Sequence, residues 1–244
     1  MDIRVLNSID ECDASLWDGL YNSSYPFLQH RFLSLLEHSG SASTATGWKP
    51  CHLLLTEQKQ TVGALPLYLK YHSWGEYVFD WTWAEAYQRQ NMEYYPKLLS
   101  AVPFTPAVGP RLALAPQTEL ARVAPMLLSA IHQLADDKGA SSWHLLFSEP
   151  TLISAMDQSG ALLRSNVQYL WENRDYGDFN DFLAALSSRK RKNISRERRE
   201  LTKQGLNVTR LCNQDITAEW WDFFYQVYHS TYHKHSGNQG YLTE

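Results

Sequence analysis

Two stretches of the chain hold residue types that could do chemistry. The first, Tyr71 to Arg111, carries ten aromatic side chains in 41 residues, together with Glu76, Asp80, Glu85, Lys97 and Arg111. Aromatic faces stack on the C–H surfaces of a sugar or peptide, while interspersed carboxylates hold hydroxyls or an ammonium group. On that logic Glu76, Tyr77, Trp81, Trp83, Tyr87, Tyr94, Tyr95, Lys97 and Arg111 are candidate substrate-binding residues. The same types also build an ordinary aromatic core, and spacing alone does not separate the two. Where a base must take the proton of an attacking amine, Asp80 and Glu85 are the catalytic candidates, provided burial raises the carboxylate pKa.

The second stretch, "SRKRKNISRERRELTKQG" from Ser188 to Gly205, has eight basic residues in a chain of formal net charge −4. Between Arg189 and Arg210 nine basic residues face two acidic ones, a local charge of +7 that leaves about −11 for the remainder. A general polyanion binder spreads its cations over a whole face, so here the basic patch is local. Arg189, Lys190, Arg191 and Lys192 fall at the start of the expected helix, where the dipole repels cations unless an anion sits nearby. With Arg196 they are the candidate phosphate ligands, Arg forks being the strongest donors. Arg198, Arg199 and Lys203 can instead pair with Glu197, Glu200 and water on a solvated face. His229 and His233 are one helical turn apart but have no third ligand of fixed position, so no metal site is expected.

The elements that must position these residues follow from periodicity. With 244 residues, 44% hydrophobic, the chain has enough apolar surface for one large core or two modest ones. "DIRVLN" alternates as a strand does, and a helix begins after Ser8 or Asp10 as N-cap. "YPFLQHRFLSLLEHSG" places Pro26 at a helix start and Gly40 at its end. "PCHLLLTE" and "TVGALPLYLKY" read as an antiparallel hairpin. A short strand is expected at "EYVFDW" and a helix around "AEAYQRQN", before a proline-rich loop. A long helix then runs to Gly139, interrupted or kinked near Pro125, followed by a strand at "SSWHLLF", a helix from Pro150 and a strand at "LLRSNVQYLWEN". Phe179, Phe182, Leu183 and Leu186 mark an amphipathic helix ahead of the basic one. A strand at "LNVTRL" and a helix at "ITAEWWDFFYQVYHSTYHK" close the sequence.

Cys12, Cys51 and Cys212 are far apart and lack C-x-x-C spacing, which suggests neither a disulfide framework nor zinc. The start is polar and mixed in charge, unlike a secretory signal peptide, and no apolar run reaches the length of a membrane span. A cytoplasmic protein is expected.

The runs "YPFLQHRFLSLLEHSGSASTATGWKPCHLLL", "PLYLKYHSWGEYVFDWTWAEAYQRQNMEYYPKLLSAVPFTPAVGPRL" and "SSRKRKNISRERRELTKQGLNV" resemble the FemAB-like family of predicted N-acyltransferases, the peptidoglycan biosynthesis or recognition proteins. The resemblance implies an α/β (α+β) fold: a tandem of GNAT-like domains, each a mixed, mostly antiparallel sheet flanked by helices. The first would span 1–174 and the second 175–244, including the basic helix. Because family members continue past "GYLTE", the second domain is expected to be incomplete. The implied function is transfer of an acyl group from acyl-CoA or aminoacyl-tRNA to a primary amine on a small molecule or peptide, with no tightly bound cofactor. The alternative is a non-catalytic module that recognises cell-wall peptide or precursor. The glycine-rich turn that commonly holds the donor pyrophosphate in GNAT proteins is absent from the sequence.

Overall fold

The computed structural model describes residues 1–21, 25–165, 167–237 and 240–243. It divides into two compact units, Met1–Leu163 with Ser236–Glu244, and Arg164–His235.

The first unit is a mixed α/β structure with two sheets. Its elements in order are β1 (Asp2–Leu6), α1 (Ala14–Tyr21), α2 (His30–His38), β2 (Trp48–Pro50), β3 (His52–Glu57), β4 (Gln60–Leu65), β5 (Tyr68–Lys70), α3 (Trp81–Arg89), β6 (Lys97–Ser100), β7 (Ala113–Leu114), α4 (Leu120–Lys138), β8 (Trp143–Leu145) and α5 (Pro150–Gln158). One sheet has the order β1-β3-β4-β7, antiparallel throughout; the other has the order β2-β5-β6-β8, in which only β6 and β8 run parallel. The mostly antiparallel sheet flanked by helices is the fold class expected from the sequence.

The expected hairpin is present and longer than its apolar runs suggested. Gln58 and Lys59 both take positive φ in its two-residue turn, the conformation that matches the twist of a tight hairpin. Its arms continue into the second sheet, with Pro50 opposite Tyr68 and Cys51 N–H donating to the Leu67 carbonyl at 2.9 Å. Pro66 has no N–H to give to a ladder, and the Leu67 N–H donates to His52 Nδ1 at 3.1 Å. The arms therefore change sheets at that point without orphaning a buried amide.

Period-two alternation sends the strands' apolar residues to both faces. Leu53, Leu55, Leu65, Leu67, Leu69 and Leu98 pack on Val123, Leu127 and Ile131 of α4 and on Leu152 and Met156 of α5. Leu54 and Ala64 point the other way, onto Trp17, Leu28 and Leu33 of the α1–α2 layer. Trp48, Tyr68 and Leu99 form a third cluster with Leu36. Helix α4 runs unbroken through Pro125, which is exposed, and Gly139 ends it at φ +63°.

Glu37 ties the α1–α2 layer to the sheet. Its carboxylate accepts from Ser8 Oγ at 2.8 Å, from the Ile9 N–H at 3.0 Å and from His52 Nε2 at 2.9 Å. Since His52 Nδ1 accepts from Leu67, Nε2 must carry the proton, which fixes the tautomer. Ser8 also caps the short 3-10 turn Ile9–Glu11, and α1 begins only at Ala14, with Asp13 accepting from the Leu16 N–H.

The second unit contains α6 (Phe179–Ala184), the basic helix α7 (Ser188–Lys203), a 3-10 turn (Asn213–Asp215) and α8 (Ala218–Ser236). Three expected strands are corrected here. "EYVFDW" is a loop that ends at Trp81, where α3 begins, because Gly75 and Tyr77 take positive φ and break any extended run. The described residues of "LLRSNVQYLWEN", Asn166 lying outside them, and those of "LNVTRL" form no strand, although both are rich in apolar residues. Apolar content makes a strand possible; it does not supply a neighbouring strand.

Replacing Glu37 with Ala leaves three donors without an acceptor, two of them on buried residues. It should lower stability by about 3 kcal/mol, measured as a lower urea midpoint with unchanged slope.

Candidate functional site

On adjacent strands β5 and β6, Lys70 and Lys97 are paired directly opposite each other, and both are fully buried. Two buried cations in cross-strand register repel one another unless anions join them. The anions come from the loop after β5. Glu76 Oε2 accepts from Lys97 Nζ at 2.8 Å, and Asp80 Oδ2 accepts from the same ammonium at closer range. The third Lys97 proton goes to Ser73 Oγ at 2.9 Å, so all three ammonium donors are used.

Around this core, the Tyr94 hydroxyl donates to Asp80 at 2.6 Å and lies 3.3 Å from His144 Nε2. Ser73 Oγ is 2.8 Å from the Tyr95 hydroxyl. Lys70 Nζ lies 3.7 Å from the centre of the Trp48 ring and donates to the Trp74 carbonyl at 3.2 Å. The positive-φ residues Gly75 and Tyr77 let the loop fold back far enough to present Glu76 and Asp80 to one ammonium. A side chain at Gly75 would meet the Phe104 ring at 2.7 Å.

Burial sets the protonation of these groups. It pushes Glu76 up to about 7 despite the opposing pull of Lys97, and it pulls Lys70 down to about 7, helped by the charge of Lys97. Burial also raises Asp80, but hydrogen bonds from Lys97, Ser73 and Tyr94 outweigh it and hold that carboxyl below its usual range. The Tyr94 hydroxyl is held far above its ordinary value by burial and by donation to Asp80. Glu76 is thus the carboxylate that exchanges a proton near neutrality, and its Oε1 has no hydrogen-bond partner.

The cluster joins Glu76, Asp80, Tyr94, Tyr95 and Lys97 of the sequence candidates. It excludes Glu85, which is exposed on α3 beside Arg89 at 3.5 Å. The structure therefore separates the two catalytic candidates: Asp80 is locked on Lys97, while Glu85 faces water. Tyr77 and Trp83 are exposed, and Trp81 and Tyr87 are half-buried. With Trp74 and Phe79 they form an aromatic surface on the loop and helix that carry Glu76 and Asp80; Trp74 and Trp81 have ring centres 5.2 Å apart. Arg111 is fully buried elsewhere in the unit. Lys70, Ser73 and His144 were not among the candidates. The signal for Lys70 was a lysine at a strand position sharing its face with Tyr68.

In the second unit, Arg189, Lys190, Lys192 and Arg196 are exposed on α7 and Arg191 is half-buried. The first turn of that helix holds no acidic residue. Among the described residues none of these five cations forms an ion pair, whereas Lys203 pairs with Glu200 at 2.9 Å. Arg198 lies over the Phe179 ring, 4.0 Å from its centre. His229 and His233 lie on α8, and among the described residues no group of three or more His, Cys, Asp or Glu side chains suits a metal ion. The three cysteines are free.

Fold and site thus define a mixed α/β protein with a buried lysine–carboxylate cluster beneath an exposed aromatic surface. The chain belongs to the FemAB-like family, described as peptidoglycan biosynthesis/recognition, whose profile matches residues 8–244. No curated protein matches it. Among solved structures it is similar to the aminoglycoside 6′-N-acetyltransferase AAC(6′)-IG of Acinetobacter haemolyticus, at 18% identity over 72% of this chain and 100% of that one, TM-score 0.41. It is also similar to AAC(6′)-Iy in complex with CoA, at 15% identity over 71% and 94%, TM-score 0.44. A third is the ribosomal-protein-alanine N-acetyltransferase of Brucella melitensis biovar Abortus 2308, at 11% identity over 71% and 100%, TM-score 0.42. With TM-scores below 0.5, none of the three defines the fold or chemistry of this chain.

Two outcomes follow from the buried charges. Replacing Lys97 with Ala leaves Asp80 and Glu76 without their cation and should cost about 3–5 kcal/mol in urea unfolding. The raised Glu76 pKa means that the folded chain holds a proton the unfolded chain has released between about 4.5 and 7. Its stabilising contribution is complete below 4.5 and is lost as pH rises through 7. Lys70 acts in the opposite sense: its contribution is complete above 10.5 and is lost as pH falls through about 7. Unfolding free energy measured against pH should therefore lose its decline between pH 4.5 and 7 in Glu76→Gln, with the rise above 7 retained.

Proposed function

We propose that the chain is an N-acyltransferase of FemAB type, moving an acyl group from a phosphate-bearing donor to a primary amine. The observation that carries this reading is Glu76, a buried carboxyl with a pKa near 7, an unpartnered oxygen and a place in the loop that carries the aromatic surface. In this reading the acceptor rests its C–H faces on Trp74, Tyr77 and Trp83, and its neutral amine attacks the donor carbonyl. As the C–N bond forms, the amine proton passes to Glu76. As the donor bond breaks, that proton goes to the departing thiolate or ribose oxygen, leaving an amide and free coenzyme A or tRNA. Asp80 does not act as the base, because the donors Lys97 and Tyr94 occupy its Oδ2 and hold its pKa below the usual range, which makes it a weak proton acceptor. Its role is to keep Lys97, and through it Glu76, in place.

Arg189, Lys190, Arg191, Lys192 and Arg196 supply the donor's phosphate contacts. Four of the five are exposed, Arg191 is half-buried, and among the described residues none forms an ion pair, which supports this assignment. Acyl-CoA and aminoacyl-tRNA both offer such phosphates. A tandem GNAT-like organisation, a peptidoglycan-type acceptor and a cytoplasmic location complete the proposal; no helix among the described residues is long and apolar enough to cross a membrane. The second reading is recognition without turnover, favoured by the exposure of Trp74, Phe79 and Trp83.

The test is release of free thiol from acetyl-CoA, and of tRNA from aminoacyl-tRNA, in the presence of an amine-bearing muropeptide. Glu76→Gln should lower kcat by roughly 10²-fold or more with little change in muropeptide affinity. Replacing Arg189, Lys190, Arg191 and Lys192 with Ala should raise the donor KM instead. Muropeptide binding by the folded wild type with no turnover on either donor would leave the recognition reading in place of the transferase.

A further inference from the structure

Glu76 lies between two residues with left-handed backbone, Gly75 at φ +81° and Tyr77 at φ +59°. Glycine adopts that conformation freely, but a tyrosine there is strained and persists only where its surroundings hold it. From the interior, Lys97 holds the loop through the carboxylates of Glu76 and Asp80, and Lys70 holds it through the Trp74 carbonyl. None of these bonds reaches Tyr77. Its ring is met by that of Tyr241, with centres 6.2 Å apart and planes at 73°.

Tyr241 also bears on the other neighbour of Glu76, through Phe104. The Tyr241 and Phe104 rings stack, with 5.2 Å between centres and 10° between planes. Phe104 lies close enough to Gly75 that a side chain there would meet its ring at 2.7 Å. It packs edge-on against Trp48 as well, the ring that faces Lys70. Phe104 is itself held at φ +58°. One tyrosine far along the chain thus acts on both sides of Glu76, and Tyr77 and Phe104 both stand on strained backbone.

Segment 240–243 is built into the first unit at this place. The Thr243 N–H donates to Ser41 Oγ at 3.0 Å, and Thr243 Oγ1 donates to the Ser39 carbonyl at 2.7 Å. Ser41 Oγ, 3.0 Å from Thr243 Oγ1, is left to donate to it, so the two residues close a ring of hydrogen bonds. Ser41 is buried, directly ahead of Ala42 in the cluster of Trp48 and Tyr68. Gly240, at φ +85°, lets the chain turn into this position.

We propose that Tyr241 is a positioning residue for Glu76, a strap that clamps the loop 74–80 against Phe104 from the solvent side. Without it Tyr77 relaxes from its left-handed φ, the loop opens at Glu76, and water reaches the carboxyl. The effect on acyl transfer rests on the reading of Glu76 as the base; the effect on the loop stands apart from that reading.

The experiment compares the full chain with Tyr241→Ala, Tyr241→Phe and Thr243→Val in two measurements. The first is unfolding free energy against pH. The groups that face Glu76 are Lys97 of β6, Lys70 of β5, Asp80 ahead of α3 and the hydroxyls of Tyr94 and Tyr95, and no variant removes any of them. Burial is what lifts Glu76 to about 7, so hydration returns it toward 4.5. The fall in stability across that interval should shrink by roughly half or more in Tyr241→Ala. Thr243→Val, which keeps the ring and loses one anchoring hydroxyl, should shrink it less, and Tyr241→Phe, which keeps both ring contacts, should match the wild type. The second measurement is thiol release from acetyl-CoA with an amine-bearing muropeptide, where Tyr241→Ala should lower kcat roughly tenfold with the donor KM unchanged. A stability profile unchanged in Tyr241→Ala, or reduced equally in Tyr241→Phe, would overturn the strap. A wild type that turns nothing over overturns the transferase reading instead, and the stability profile alone then decides the strap.

Discussion

The ammonium of Lys97 is the group on which this end of the molecule depends. It sits in a fully buried position opposite a second buried lysine, and its three protons reach Ser73, Glu76 and Asp80. A charge in such a place is tolerated only when it is fully bonded. That requirement dictates the path of the following chain: the loop after β5 must return its carboxylates to the strand, which places positive φ at Gly75 and Tyr77. With the loop so anchored, Val78 packs on the core cluster of Trp48 and Tyr68, while Trp74, Tyr77 and Phe79 are exposed. The aromatic surface is thus carried by a loop whose path is set by the buried ion.

The cluster also separates the acidic residues by task. Each carboxylate has one unpartnered oxygen, but Asp80 Oδ2 receives two strong donors, Lys97 and Tyr94, and stays ionised, whereas Glu76 has Lys97 alone and is driven up by desolvation. Two carboxylates four residues apart in sequence therefore differ in protonation because of their bonding and not their chemistry. Lys70 responds in the mirror sense. Burial thus moves the two groups in opposite directions toward the same range, about 7.

A second use of polar groups runs through the sheet junction. His52 replaces a missing ladder bond at Leu67 with Nδ1 and reaches Glu37 with Nε2, so one imidazole joins strand, helix and turn. Arg111 works differently. Two of its donors hold the loops at the end of β8, but its charge is not answered by any side chain described, which sets it apart from the balanced Lys97 site.

Much of the architecture was legible from residue order, because its signals are local. The β3–β4 hairpin follows from two apolar runs and a short polar turn, α2 from its stripe and Gly40, α5 from Pro150, and the end of α4 from Gly139. Each depends on φ preference or periodicity within a few residues. The charge of α7 was likewise fixed by composition. The failures fell where a distant partner decides. "EYVFDW" has strand-like residues, yet the pull of Lys97, 17 residues after Asp80, makes it a loop. "LLRSNVQYLWEN" and "LNVTRL" carry strand-forming residues but join no sheet among the described residues. By itself the sequence determined the helices, the hairpin and which residue types were available for chemistry. Only the tertiary structure decided that burial raises the pKa of Glu76 to about 7 while Asp80 is held below its usual range, because that depends on burial and on which carboxylate oxygens Lys97 and Tyr94 can reach.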